Sequence, residues 1–302
     1  MNSDTTSEQV PASCLARLSA SVVDVIGGRR NYHWVVRVRG TECILRRYSP
    51  EQSQNCEYEI ELMRRLRKAK WPVPAVLDGP FDAGGSTWCL FERRPGESIL
   101  TETAADQRAR GRLLAKLHEA TAGMTDLGQR RSFTTVDCVV SDPNLETALR
   151  QYEVLRPRSA RILRWHRDKA LEYLSQCSTN DMETLIIHGD FAPWNLLFEG
   201  KRLSGVLDFE AAHRDFRVSD FALSWRGHHD DVIRGYREIR DLSIADRQLL
   251  VPVYWSWLFL DVPSQIEAMV AGSTPTHGLN WEVEHLLRRS SEFSREYPAC
   301  PW

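Results

Sequence analysis

Apolar positions recur along this chain at two different periods, and the change of period divides it. Residues 21–28 (SVVDVIGG), 31–40 (NYHWVVRVRG) and 41–48 (TECILRRY) are β-branched and aromatic runs. Gly27-Gly28 and Arg39-Gly40-Thr41 punctuate them as turns, so the pattern predicts three consecutive strands. Residues 54–71 switch to helical spacing, with Ile60, Leu62, Met63 and Leu66 apolar, and Pro72 and Pro74 end the run. Two short strands are expected around 75–77 and 86–92, after which Pro95-Gly96 breaks the pattern as a linker.

Beyond that break helical spacing dominates. It covers 104–122, with Leu113, Leu114, Leu117 and Ala120 apolar, then 144–178 divided near Pro157, 246–270 and 281–293. One stretch interrupts the helices: IIHGDFAPWNLLFEGKRLSGVLDFE, residues 186–210. Its Leu196-Leu197-Phe198, a turn from Glu199 to Arg202, and Leu203 to Phe209 read as a β-hairpin embedded in the helical part. Five strands and a helix, then helices with an inserted hairpin, make a bilobal α+β plan. The cleft of such a plan is the default ligand site.

Composition acts mainly by exclusion. The chain has 302 residues, 42% hydrophobic and 26% charged, which suits a soluble globular protein with two sizeable lobes. Lys plus Arg total 39 against 41 Asp plus Glu, so no basic excess asks for nucleic acid or an anionic membrane surface. The 7 Cys are scattered and include no Cys-x-x-Cys pair; neither a disulfide framework nor a zinc site is suggested, and a reducing cytoplasm fits. The start, MNSDTTSEQVPAS, lacks a basic-then-apolar signal, and the longest near-apolar run, 249–260, is too short for a bilayer and holds Pro252. A cytoplasmic protein with no nucleic-acid or membrane partner is expected.

Three polar residues stand at the edges of apolar runs in 186–210: Asp190, Asn195 and Asp208. The hairpin would bring Asn195, before its first strand, close to Asp208, at the end of its second. An amide carbonyl and a carboxylate are hard oxygen donors suited to Mg²⁺. Asp190, upstream in the same loop, is left to accept a proton from an attacking hydroxyl. A base beside two metal ligands is the arrangement of phosphoryl transfer. Any one of the three has a plainer use, capping a turn or pairing backbone, but the order and spacing beside His188-Gly189 favour the chemical one. A competing reading is an HD-type metal phosphohydrolase at His228-His229-Asp230-Asp231, for which no matching pattern of further ligands is present. A non-catalytic pseudokinase binding module is the third.

HGDFAPWNLLF followed by GVLDFE resembles the signature of the aminoglycoside phosphotransferase and choline kinase-like superfamily, relatives of protein kinases that phosphorylate small molecules. The resemblance implies a protein-kinase-like fold, with a β-rich N-terminal nucleotide-binding lobe over 1–93, a hinge near 91–96, and a mainly helical C-terminal lobe over 94–302. It implies Asp190 as catalytic base, Asn195 and Asp208 as Mg²⁺ ligands, His188 as loop support and Asp220 as a structural partner of the loop backbone. The similarity runs over most of 20–235. GGRRNYHWVVRV, with Gly28 and Asn31, resembles the phosphate-covering hairpin loop without its full Gly-x-Gly-x-x-Gly. CILRRY resembles the strand whose cation contacts the α and β phosphates, here Arg46 in place of Lys. Strand alternation puts Ile44 and Arg46 on one face and Cys43, Leu45 and Arg47 on the other. Glu59 is the implied carboxylate partner, and TWCLFERRPGE resembles the hinge, where backbone groups of Phe91, Glu92 and Arg93 would bond the base. His118 is expected to be a packed core histidine. The implied activity is Mg²⁺-dependent transfer from ATP or GTP to a hydroxyl of a small polar molecule. An antibiotic of aminoglycoside or nucleoside type is expected first; homoserine-, choline- or sugar-like acceptors are the alternatives.

Overall fold

The computed structural model describes residues 9–27, 31–177, 182–273 and 279–302. Gly28, a candidate phosphate-loop residue, lies outside them. Along the chain run α1 (Ala12–Leu18), β1 (Ala20–Gly27), β2 (Tyr32–Val38), β3 (Thr41–Arg47), α2 (Pro50–Ser53), α3 (Cys56–Lys68), β4 (Val76–Ala83) and β5 (Ser86–Glu92). Then come α4 (Ala104–Ala122), α5 (Val136–Ser141), α6 (Pro143–Leu155), α7 (Pro157–Gln176), β6 (Thr184–Ile187), the hairpin β7 (Leu196–Glu199) and β8 (Arg202–Val206), and β9 (His213–Phe216). The last helices are α8 (Phe221–Trp225), α9 (Asp230–Arg237), α10 (Ile244–Leu258), α11 (Val262–Val270) and α12 (Leu279–Leu287). The α+β plan is the one the periodicity predicts. Its contacts divide the chain into two compact units: Met1–Ile99 with Trp194–Glu210, and Leu100–Pro193 with Ala211–Trp302.

The first unit is built on an antiparallel sheet in the order β1-β2-β3-β5-β4. Trp34, Leu45 and Leu90 align across three strands on one face, where Val36, Cys43, Phe81 and Trp88 pack with Cys14 and Leu18 of α1. Arg46 alternates to the opposite face, and α3 buries Ile60, Leu62, Met63 and Leu66 at the expected spacing together with Glu59. β4 is longer than expected because Gly79-Pro80 reads as a turn. The strand carries that pair at the sheet edge, where its register with β5 is irregular and a missing N–H costs little. The β7–β8 hairpin belongs to this unit through backbone bonds: Glu97 and Phe198 exchange N–H to carbonyl bonds of 3.1 and 2.9 Å, and the Val206 N–H donates to Pro72 at 3.0 Å. The Arg94 guanidinium adds donors to the Ser204 carbonyl at 2.6 and 2.8 Å.

The second unit is helical apart from the antiparallel β6–β9 pair. The 144–178 run splits into α6 and α7 at Pro157, as expected. The 246–270 run is two helices, because Pro263 restarts the helix in the first turn of α11. No helix among the described residues is long and apolar enough to cross a membrane. α4 and α9 pack backbone to backbone at Gly235: a Cβ there would lie 2.1 Å from the Arg108 carbonyl oxygen. Only a residue without a side chain permits that approach. Gly235→Ala should therefore cost about 1–3 kcal/mol from overpacking. Gly123→Ala, where nothing lies within 4 Å, should change urea-unfolding midpoints little.

Candidate active site

In the second unit the loop after β6 carries His188, Gly189 and Asp190. Its amides would be unpaired inside the unit without a local acceptor. Asp220 supplies it: one carboxylate oxygen accepts the His188 N–H at 2.7 Å, the other the Gly189 N–H at 2.8 Å. His118 Nε2 lies 3.0 Å from the same carboxylate, while its Nδ1 meets the Tyr236 hydroxyl at 2.9 Å. His118 is fully buried, the packed histidine that was expected. Burial pushes the Asp220 carboxyl up, but the His118 bond, the nearby imidazoles and the loop amides prevail and hold it below its ordinary value.

The loop is pinned at two further points. Gly189 has φ +78°, and a Cβ there would lie 2.5 Å from the Ala211 carbonyl oxygen, so glycine is required before the aspartate. The Phe191 carbonyl accepts from the Ser224 hydroxyl at 2.7 Å and from Arg110 at 3.4 Å. Arg110 is itself held by two bonds to Glu102, at 2.6 and 2.7 Å. The Asp190 N–H points back to His188 Nδ1 at 3.2 Å, and the His188 ring packs edge-on against Phe191. Half-exposed Asp190 therefore projects from a backbone with little freedom.

In the first unit the counterpart is a charge cluster around Arg46, which is 4% exposed. Its guanidinium donates to Glu59 at 2.7 Å and to Glu210 at 2.8 Å, with the Asp208 carboxylate 3.7 Å away and the Tyr48 ring stacked at 4.8 Å. Burial disfavours the charge, but the Glu59 carboxylate foremost, with Tyr48, Asp208 and Glu210, holds Arg46 protonated far above its ordinary range. Asn31 joins this cluster, donating to Glu210 and accepting from the Ser49 N–H at 2.9 Å. His33, opposite Arg46 in the strand register, is pushed down to about 4 by burial and by that guanidinium. It is a neutral imidazole at physiological pH. Arg47 faces the other way and stacks over Tyr32 at 4.6 Å and Trp34 at 5.8 Å. The alternation argument thus places Arg46, not Arg47, beside Glu59.

Asn195 and Asp208 flank the hairpin, and the Leu207 N–H donates to the Asn195 carbonyl at 2.8 Å, which joins their backbones. Asp208 has φ +60°, a left-handed conformation that a short polar side chain tolerates better than most. Such strained positions cluster at ligand sites. Around Arg46 the carboxylates of Glu59, Asp208 and Glu210 outnumber its one charge, and an excess of carboxylate oxygen is chemistry that a divalent cation would accept. Of the expected hinge residues, Phe91 is buried opposite Ile44. The Glu92 N–H is committed to the Ala75 carbonyl at 2.8 Å and its carboxylate to Arg67 and Arg94, and Arg93 pairs with Glu42. Glu210 is the member of the cluster that the sequence reading passed over. Its signal was present: a third acid, two residues after Asp208, at the end of a hairpin.

The competing histidine pair has a different setting. The His228 and His229 rings lie 4.0 Å apart, with Arg288 2.9 Å from His228 Nδ1 and Arg110 3.3 Å from His229 Nδ1. Two guanidinium groups repel a metal cation there.

A β-rich unit with a buried Arg–Glu pair, and a helical unit presenting an aspartate from a clamped loop, are the layout of a small-molecule kinase with an alcohol group as acceptor. The model of the APH phosphotransferase enzyme family matches residues 22–248, and the chain belongs to that family. It is similar to the homoserine kinase of Zymomonas mobilis, 25% identical over 256 residues that cover 76% of each chain. The homoserine kinase of Granulibacter bethesdensis is 29% identical over 244 residues, 74% of this chain and 73% of that one. A microcompartment-associated aminopropanol kinase superposes with a TM-score of 0.67 at 19% identity, over 88% of this chain and 89% of that one. A thermostable mutant of aminoglycoside phosphotransferase APH(4)-Ia, in ternary complex with ADP and hygromycin B, superposes with a TM-score of 0.62 at 17% identity, over 92% and 96%. The fold is therefore the protein-kinase-like one.

Removing Arg46 leaves Glu59 and Glu210 without their counter-charge, so Arg46→Ala should destabilise by about 3–5 kcal/mol. Arg47→Ala, which loses stacking on Tyr32 and Trp34, should cost about 1 kcal/mol in the same urea titration. Because the Asp220 carboxyl is held below its ordinary value of 3.8, its contribution is present above that pH and is lost as pH falls through the lower folded value. The stability gap between wild type and Asp220→Asn should accordingly narrow below about pH 4 in acid denaturation. A gap independent of pH would contradict an ionised Asp220.

Proposed function

We propose that this chain transfers the γ-phosphate of ATP or GTP, with Mg²⁺, to a hydroxyl of a small polar metabolite. Asp190 accepts the acceptor's proton, Arg46 held by Glu59 contacts the α and β phosphates, and Asn195 and Asp208 hold the metal. The observation that carries the reading is the buried cluster around Arg46, a fixed cation set among Glu59, Asp208 and Glu210. That is a preorganised charge pattern for a metal-bound polyphosphate. When bound, Mg²⁺ neutralises charge on the phosphates. Asn31 and Gly28 belong to the loop assigned to the phosphates, in a lobe over about residues 1–93. Base recognition is assigned to backbone groups of Phe91 to Arg93 other than the Glu92 N–H, which already has a partner.

For the acceptor, the homoserine kinases among the relatives support a metabolic alcohol. An aminoglycoside or nucleoside antibiotic, with resistance as the outcome, is the second reading; the aminoglycoside phosphotransferase likeness favours it. A choline- or sugar-like acceptor belongs to the first. A cytoplasmic location agrees with a reaction that draws on the cell's nucleotide pool.

Asp190→Asn keeps shape and most hydrogen bonding but removes the proton acceptor. It should leave Mg-nucleotide affinity nearly intact while lowering turnover on the order of 100-fold to 10,000-fold. Asp208→Asn should instead weaken the Mg-nucleotide complex, read as a lost Mg²⁺-dependent thermal shift. Product phosphate on the acceptor, followed by mass spectrometry, checks both. If Asp190→Asn matches the wild-type rate, Asp190 is not the base; loss of activity on His229→Ala alone would return the reaction to the histidine pair.

A further inference from the structure

One row of residues crosses four strands of the first unit's sheet: Gly27 of β1 lies opposite His33 of β2, His33 opposite Arg46 of β3, and Arg46 opposite Cys89 of β5. Directly opposed residues project to the same face, with Cβ atoms about 4.5–5.5 Å apart. Half-buried His33 therefore stands beside Arg46 on the face that holds the ion pairs, while Gly27 brings no side chain to its end of the row. The next row on this face, about 7 Å along the strands, contains Val35, Ile44 and Phe91, opposed in the same order. The face thus sets an apolar row beside a polar, cationic one. A nucleotide has the same division, a flat base joined to an anionic chain.

The His33 ring is held by one nitrogen. Its Nδ1 lies 3.1 Å from the Gly27 carbonyl, and because a carbonyl only accepts, Nδ1 carries the proton. Nε2 is then the acceptor of a neutral ring, and it has no partner among the described residues. Protonation leaves the Gly27 bond intact, since both nitrogens of an imidazolium donate. The ring can thus turn Nε2 from acceptor into charged donor without moving.

Charged and titratable groups face this ring from each neighbouring element. β3 supplies the Arg46 guanidinium; α3 supplies Glu59, bonded to Arg46 at 2.7 Å; and the segment after β8 supplies Glu210, bonded to Arg46 at 2.8 Å and to Asn31. Asp208 lies 3.7 Å from Arg46, and Tyr48 stacks on that guanidinium. On β1, Asp24 sits opposite Val35, in the next row, and accepts the Val25 N–H at 2.8 Å. Cys89, at the far end of the row, stays a neutral thiol near neutral pH. Burial first and Arg46 second push His33 down to about 4, against the Gly27 bond and Glu210. A permanent second cation here would repel Arg46. A histidine supplies its charge only when an anion stands beside it.

Resting on the phosphotransferase reading above, we infer that His33 is a second phosphate-binding side chain beside Arg46, which takes a proton from solvent as the polyphosphate arrives. The Nε2 lone pair accepts that proton, Nε2–H donates to a phosphate oxygen, and Nδ1–H keeps the Gly27 carbonyl. The added charge matters because Glu59 and Glu210 already occupy Arg46. Phosphate raises the pH at which the ring titrates, so the contribution of His33 to affinity is complete below its unbound value of about 4 and is lost as pH rises through the higher value of the complex. The nucleotide's terminal phosphate itself gains a proton near about pH 6, which works in the opposite direction. The difference between wild type and a His33 variant isolates the ring.

The test measures binding of Mg-ATP, Mg-GTP, inorganic tripolyphosphate with Mg²⁺, and adenosine to the full chain by calorimetry. It spans about pH 6 to 8.5, in buffers of different ionisation enthalpy so that proton uptake is counted. His33→Asn keeps a donor for the Gly27 carbonyl but cannot gain charge. It should take up fewer protons than wild type and bind the nucleotides roughly 10- to 100-fold more weakly at the acid end, the loss expected for a charge-assisted hydrogen bond. The gap should close toward alkaline pH. Tripolyphosphate should show the same His33 dependence and adenosine none. The His33 ring C–H resonance in wild type, assigned by its loss in the variant, should titrate at higher pH with Mg-nucleotide bound. That resonance reads the wild-type protein even if the variant is destabilised. Equal proton uptake and pH profiles in wild type and variant, a His33 dependence shared by adenosine, or a ring titration that nucleotide leaves unmoved overturns the inference while nucleotide binding stands. No binding of either Mg-nucleotide by wild type at any pH would instead sink the phosphotransferase reading, and the inference with it.

Discussion

One buried carboxylate holds the loop of the second unit that carries Asp190. Asp220 takes the two amides that precede Asp190 and a fully buried histidine from α4, so a loop, a long helix and the start of α8 share a single acceptor. A loop between two short strands would otherwise leave N–H groups inside the unit with nothing to bond, at a cost of about 1–3 kcal/mol each. Satisfying them with an ionised group makes the bonds shorter and stronger and leaves the loop few alternatives. Rigidity in this loop is thus bought by a residue 32 positions beyond His188 in sequence, and Gly189 makes the required turn.

The first unit solves the opposite problem. Its central buried charge is a cation, and a lone buried guanidinium would be prohibitive. Glu59 from α3 and Glu210 from the end of the hairpin flank Arg46, while Tyr48 covers its face. The cluster draws on a sheet strand, helix α3 and a segment far along the chain. Packing the helix and seating the hairpin are therefore coupled to placing the charge. The two sheet faces divide the labour: one is a conventional apolar core around Trp34, Leu45 and Trp88, the other holds the ion pairs.

Much of this was legible in the sequence where a pattern was long or chemically unusual. Strands β1 to β3 and helix α3 announced themselves by period, while Asp190, Asn195 and Asp208 stood out at the edges of apolar runs as candidates for the roles proposed above. The β6–β9 pair was not legible: Thr184–Ile187 is four residues long, and its partner His-Arg-Asp-Phe is mostly polar. A strand paired on one side within a helical unit needs no alternation to form. Glu210 was hidden for another reason, because an acid next to a loop reads as solvated until its distant partner, Arg46, is known. His33 likewise meets Gly27 and Arg46 only through the register between strands, which local period does not encode.

The Arg46 strand position has a consequence for chemical labelling. Nucleotide-derived acylating reagents react with a deprotonated amine near the phosphates; a guanidinium held protonated by its carboxylate neighbours offers none. The neighbour across the sheet, Cys89, gives no alternative, since burial pushes its thiol up to about 12 and keeps it from forming the reactive thiolate. Lysine- or cysteine-directed nucleotide probes would thus pass over Arg46 and Cys89 whether or not a nucleotide binds beside them.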